Sequence, residues 1–281
     1  MIDTHTHLQF RAFENSVDQV IKEALKAGVE KMIVVGTNVK TSKKAVELAQ
    51  KIDCLYAAVG IHPHHIFEHH DTPEVLDEHL KKVEELITQN KVVAIGEVGM
   101  DRHVYQKTKH KNYQITEKFI NLQKKAFAAQ IKLALKHQKS LIIHNREAVE
   151  ETLEVLEENW DKSLEGKTVF HCCEPDQKLL AFAKAHQIFI GIDGDITYDK
   201  AKQEFVKKIP LNLLVLETDS PYLLPTGLKF PNTPANLNII AEFLAKLLKI
   251  DPNDLKQQTF QNSQALFFRR FLTERDSYKD Y

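Results

Sequence analysis

No stretch of this 281-residue sequence approaches the eighteen or so apolar residues of a membrane-spanning helix, so no membrane partner is expected. Cysteine is scarce. Three thiols, Cys54, Cys172 and Cys173, do not make a disulfide framework, and a reducing compartment suits them better. The opening Met-Ile-Asp-Thr-His lacks the basic and apolar regions of a secretory signal, which makes the cytoplasm the expected location. An excess of one charge is missing too: 38 basic and 39 acidic side chains leave a formal net charge of -1. That excludes the strongly basic footprint of a protein that coats long nucleic acid, but not an enzyme that meets one end through a local basic rim. No repeat, low-complexity tract or Gly/Ser linker divides the chain, and nothing in it implies an obligate protein partner. One domain over 1–281 is expected, with about 264–281 as a helical end whose charged tail, Thr273–Tyr281, frays.

What is present is alternation. Short apolar runs at Met1–His5, Lys31–Gly36, Leu55–Ile61, Val92–Glu97, Ser140–His144, Thr168–His171, Ile188–Ile192 and Leu213–Glu217 read as strands. Between them, Val17–Ala27, Ser42–Lys51, Val75–Gln89, Phe119–His137, Glu147–Asn159, Gln177–His186 and Tyr198–Lys207 carry apolar residues at helical spacing, and Asn236–Leu248 adds an eighth such segment. Strands separated by helices pair in parallel, and their continuous apolar character suits burial on both faces. Eight such units in a chain of this length predict a single (β/α)8 TIM-type barrel, which typically needs about 250 residues. The competing doubly wound open sheet lacks its signature, because no G-x-G-x-x-G follows the first strand.

The positions of the ligand-type residues carry the functional signal. His5, His7, His62, His64, His144 and His171 lie at or just past the C-terminal ends of predicted strands, as do Glu97, Glu217 and Asp219. Active sites of α/β barrels are built on that rim. His5-Thr6-His7 places two imidazoles at i and i+2 on one strand face, fit to clamp one divalent ion. Glu97 caps an apolar strand, where a carboxylate is costly to bury without a partner; a metal is the natural one, and its two oxygens can bridge two ions. His144 and Arg146 share a face by the same spacing, and the guanidinium offers a planar fork for phosphate or carboxylate. The eighth strand neighbours the first in a closed barrel, so Asp219 reaches the ion held by His5 and His7 as ligand and proton acceptor. Glu217, two residues deeper, is placed to orient a histidine. One of His62 and His64 is expected to contact substrate. Cys172 and Cys173 beside His171 read as packing residues rather than ligands.

These residues, taken in order, resemble a known family. His5-Thr-His7-Leu, Gly60-Ile-His62-Pro-His64, Gly96-Glu97-Val-Gly-Met-Asp101, Ile143-His144-Asn-Arg146, Phe170-His171-Cys and Glu217-Thr-Asp219-Ser-Pro-Tyr-Leu are similar to the motifs of the TatD family of metal-dependent deoxyribonucleases, a branch of the amidohydrolase-like barrels. The resemblance runs from the first strand to about Asn262. It implies a barrel with two divalent ions, magnesium, manganese or zinc: His5, His7, Glu97 and Asp219 around one, and Glu97, His144 and His171 around the other, with Glu97 between them. It also implies phosphodiester hydrolysis in DNA, of the 3′–5′ exonuclease type. The expected partner is therefore DNA, single-stranded or frayed at an end, with His62, His64 and Arg146 on the substrate and Asp219 and Glu97 catalytic. Two loops depart from the family pattern. A small Ser/Gly loop gives way to Cys172-Cys173-Glu174-Pro175-Asp176, and an Arg-Asn-Glu-Pro segment to Pro231-Asn232-Thr233-Pro234. Both are expected near the substrate, where an acidic loop and a lost arginine weaken phosphate binding, while the basic stretch Asp101–Thr116 is placed to restore charge. The rivals are an ester or amide hydrolase, on a small molecule or an aminoacyl-tRNA, that uses the same centre, and a metal-holding barrel that serves only as an interaction protein.

Overall fold

The structure is a computed structural model that describes residues 1–69, 73–108, 110 and 112–276. Eight parallel strands run in chain order: β1 (Ile2–Thr6), β2 (Lys31–Val35), β3 (Leu55–Val59), β4 (Val92–Asp101), β5 (Ser140–Arg146), β6 (Thr168–Phe170), β7 (Phe189–Ile192) and β8 (Leu214–Leu216). The barrel closes where Asp219 N donates to His5 O at 2.9 Å and His7 N to Ser220 O at 2.8 Å. Helices α1 (Val17–Lys26), α2 (Val39–Lys51), α3 (Pro63–Ile66), α4 (Pro73–Ile87), α5 (Glu117–His137), α6 (Val149–Asn159), α7 (Gln177–Ala185), α8 (Lys200–Val206) and α9 (Leu237–Leu248) connect and cover them. The TIM-type reading therefore holds. No described helix is long and apolar enough to cross a membrane.

Strand side chains alternate between the two faces of the wall. Outward residues such as Met32, Val34, Ala57, Ile143 and Leu214 join one apolar cluster with the surrounding helices. Inward residues Ile2, Ile33, Val35, Ala58, Ala94, Ile142, Val169, Phe189 and Val215 form a second cluster in the lumen. A long last helix, α10 (Pro252–Asp276), closes the lumen at one end with Leu266, Phe267 and Phe268. Asn262 Nδ2 ties it to the carbonyls of Leu211 and Leu214, at 2.9 and 2.7 Å. The sequence reading left most of this helix unassigned, and 277–281 of its expected tail lie outside the described residues.

Two strands break the alternation. Between Asp3 and Thr6, β1 takes three steps while β2 takes two, from Met32 to Val34. Between Ile95 and Val98, β4 likewise takes three steps against two in β5, from Leu141 to Ile143. Each extra residue is a bulge that turns the following side chains to the other face. Without it, His5 and Glu97 would point away from the lumen that Ile2 and Ala94 fill. The other strands need no such device, because Ala58 and His62, Ile142 and His144, Val169 and His171, and Val215, Glu217 and Asp219 already share parity.

Candidate metal centre

All the ligand-type residues singled out in the sequence converge at the end of the lumen opposite α10. Their cavity measures about 660 Å³ and is walled by residues that include Phe10, Arg146, Tyr105, Glu174 and Tyr222. Glu97, only 4% exposed, lies at the middle. Its Oε2 faces His5 Nε2 at 3.4 Å and His7 Nε2 at 3.9 Å. Its Oε1 faces His144 Nδ1 at 2.8 Å, His62 Nε2 at 3.4 Å and His171 Nε2 at 3.7 Å. Asp219 Oδ1 completes the first group, 3.2 Å from His7 Nε2 and 3.7 Å from His5 Nε2. Burial alone would raise the Glu97 carboxyl, but the surrounding imidazoles of His62, His171, His144 and His5 hold it well below its ordinary range.

The histidines are held from behind. His7 Nδ1 donates to Val35 O at 2.8 Å. His171 Nδ1 donates to Glu217 Oε1 at 2.9 Å, and Glu217 also accepts from Cys172 N and Thr4 Oγ1. Burial opposes protonation of His171, yet Glu217 and Glu97 push it up to about 10. His144 Nε2 donates to Asp101 Oδ2 at 3.1 Å. Partners of this kind fix the ring orientation of metal-bound imidazoles. Gly191 makes room for Glu217, since a Cβ there would meet Glu217 Oε1 at 2.4 Å.

The donor set fits divalent metal ions, and one orphaned atom supports the fit. Of the buried atoms without a hydrogen-bond partner, Asp219 Oδ1 faces this donor set, while His5 Nδ1 lies on the side of its ring away from Glu97. Asp219 also sits at φ 48°, in the left-handed region, and such backbone persists where the surroundings over-determine it. The trios His5, His7, Glu97 and Glu97, His144, His171 each bring ligand atoms within 4.8 Å of one another.

The two uncertain histidines part company. His62 Nδ1 accepts from His64 N at 3.0 Å, which leaves its Nε2 as the donor facing Glu97. Burial and the nearby His144 lower His62 to about 4. His64 turns aside: its Nε2 meets Thr108 Oγ1 at 3.0 Å, and its ring packs 4.6 Å from Tyr105. Arg146 lies over the Tyr105 ring at 5.2 Å and makes no ion pair among the described residues.

Both unusual loops are tied down. Glu174 accepts from Asn145 Nδ2 at 3.0 Å and Glu147 N at 2.9 Å, and Asp176 caps α7 through Lys178 N and Leu179 N. Asn232 is fully buried and donates to Thr218 O and Tyr222 O, so its loop locks the turn after β8. In the basic stretch after β4, Arg102 pairs with Glu151 and His103 with Glu147. Lys109 and Lys111, like His70, lie outside the described residues.

Sequence reasoning missed two groups. Asp101 was passed over because β4 was ended at Glu97, although Val98-Gly99-Met100 continues the apolar run to it. Lys202 was read as part of an ordinary helix. It is buried at the cavity wall, 2.6 Å from Asp195 Oδ2 and 3.6 Å from Cys172 Sγ.

A closed parallel barrel with histidines and carboxylates converging on one buried glutamate is the architecture of a metal-dependent hydrolase. The chain matches the family described as TatD related DNase over residues 2–268, and it belongs to that family. It is 31% identical over 270 residues to the metal-dependent hydrolase YabD of Bacillus subtilis, covering 95% of this chain and 98% of that one. It is likewise 31% identical over 275 residues to the 3′-5′ ssDNA/RNA exonuclease TatD of Escherichia coli, covering 95% and 98%. Among solved structures, the TatD homologue YjjV of Escherichia coli superposes with a TM-score of 0.79 at 27% identity, covering 95% of this chain and 97% of that one.

Proposed function

We propose that this chain is a two-metal phosphodiesterase that removes nucleotides from the 3′ ends of single-stranded or frayed DNA. One observation carries the reading: the two oxygens of Glu97 face two separate sets of imidazoles, His5 and His7 on one side and His144 and His171 on the other. A carboxylate so placed is built to bridge two ions. In this reading His5, His7, Glu97 and Asp219 hold one ion, and Glu97, His144 and His171 hold the other. Two such ions, when bound, activate water and stabilise the attacking and leaving oxygens of an in-line displacement. Asp219 takes the proton of the attacking water, its Oδ1 being buried and free of any hydrogen bond. His62, beside Glu97 at the cavity wall, contacts the substrate, and Arg146 offsets charge on the phosphoryl oxygens. His64 acts from the wall, where it packs against Tyr105.

The nucleic-acid substrate is supported by the names of relatives such as the Escherichia coli exonuclease. The test uses chelator-treated protein refilled with magnesium, manganese or zinc. The substrates are 5′-labelled single-stranded DNA, RNA, a generic phosphodiester and a panel of carboxylic esters and amides. A descending ladder from labelled DNA with at least one metal is the expected result. Turnover confined to the esters or amides would overturn the nuclease reading.

A further inference from the structure

We propose that His65, Glu68 and His110 form a third divalent-metal site, of zinc-binding chemistry, that clips the loop after β3 to the loop after β4. The site lies outside the centre built on Glu97 and does not rest on the reading of that centre. His65 belongs to α3, and Glu68 to the 3-10 turn Phe67–His69 that continues it. Three positions apart on a helical path, their side chains leave the same face. His110 comes from the other loop. His65 Nδ1 lies 3.5 Å from Glu68 Oε1, and His110 Nε2 lies 3.9 Å from the same oxygen. One donor atom from each of the three residues falls within 4.8 Å of the others.

Bonds of about 2.0–2.1 Å around a tetrahedral zinc put neighbouring ligand atoms about 3.4 Å apart. The two imidazole nitrogens stand 3.5 and 3.9 Å from Glu68 Oε1, close to that spacing, as do atoms around Glu97, where His7 lies 3.2 Å from Asp219 and His5 lies 3.4 Å from Glu97. A second observation points the same way: His65 Nδ1 is shut off from water and makes no hydrogen bond, although it faces a carboxylate. A shielded nitrogen without a hydrogen bond is costly to bury, and a cation held between it and the carboxylate would supply the missing partner. Two imidazoles and one carboxylate with a fourth position open make a donor set suited to zinc. The ion would brace the cavity wall, because the neighbouring His64 packs 4.9 Å from the His110 ring and 4.8 Å from Tyr113.

The test counts metal rather than activity. Full-length protein is stripped with chelator, titrated with zinc, and its tightly bound metal measured by elemental analysis. His65→Ala/His110→Ala should retain one equivalent fewer than the parent. Glu68→Gln, at a partly exposed side chain that tolerates change, should lose the same equivalent while circular dichroism stays native. The difference should persist when both are compared in a Glu97→Ala background, which separates this site from the main centre. Zinc should slow protease cleavage of the loop after β4 in the parent and not in the variants. Equal zinc content in parent and both variants, or a Glu97→Ala protein that holds no zinc at all, would overturn the proposal.

Discussion

At the scale of single residues, the side chains that converge at the barrel mouth were the most legible part of the molecule. Histidines and carboxylates at strand ends are rare enough to stand out against an apolar background. Of the groups behind them, Glu217 is legible as the residue that orients a histidine and does meet His171, whereas Asp101 becomes a partner of His144 only once the strands are laid side by side. Two predictions belong here. Asp219→Asn keeps the shape of the side chain but cannot accept a proton, and loss of a general base typically costs about 10²–10⁴-fold in rate. Turnover on labelled DNA should fall within that range while the melting temperature stays near the parent's; a change of only a few-fold would remove the role. Glu217→Gln keeps its hydrogen-bonding bulk but loses the charge behind His171. Metal affinity, measured by competition with a chromogenic chelator, should drop by about 10–100-fold, as is usual when such a partner is removed. Unchanged affinity would make Glu217 a packing residue.

At the scale of elements, apolar periodicity located all eight strands, but it gave their lengths less well. β4 extends four residues beyond the expected Glu97, to Asp101. α10 escaped for a physical reason. Of its buried positions Leu255, Thr259, Asn262, Ser263, Leu266, Phe267 and Phe268, the three that follow the first turn are polar, so no hydrophobic stripe marks most of its length. Their hydroxyls and amide are satisfied instead by carbonyls, as Asn262 shows. The extension of β4 carries its own prediction. Gly99 has φ 140°, and a Cβ there would fall 2.0 Å from His144 O. Gly99→Ala should therefore push β4 away from β5 and misplace His144. Backbone strain of this kind costs about 1–3 kcal/mol. At about 2–4 °C of melting temperature per kcal/mol in a chain somewhat smaller than this one, calorimetry should register a fall of several degrees. Metal content should fall with it. A Gly99→Ala protein with parental melting and full metal would show that the two strands have slack.

At the scale of the whole molecule, near-neutral charge and a cavity at a barrel mouth both favour few and local contacts with a nucleic acid. The measurable consequence is a gentle salt dependence. Each phosphate neutralised on a single strand contributes about -0.7 to the log–log slope, so two or three contacts give about -2. Arg146→Ala should weaken turnover alike on every sequence, because a phosphate contact carries no base information. A circular single strand should resist digestion that consumes its linear counterpart; equal rates on both would mean internal cutting and would end the picture of an enzyme that reads ends.

The bulges in β1 and β4 have one more consequence, which concerns how this barrel tolerates change. They act as phase shifts, so that the lumen-filling residues Ile2 and Ala94 belong to one parity and the candidate ligands His5 and Glu97 to the other. A substitution that repacks the lumen is thereby insulated from the chemistry a few residues further along the same strand. A single-residue deletion inside either bulge does the reverse: it leaves the composition almost untouched and turns His5 or Glu97 out of the barrel. Drift in this fold should accordingly be permissive toward exchange below the mouth and intolerant of any change in residue count between Asp3 and Thr6 or between Ile95 and Val98.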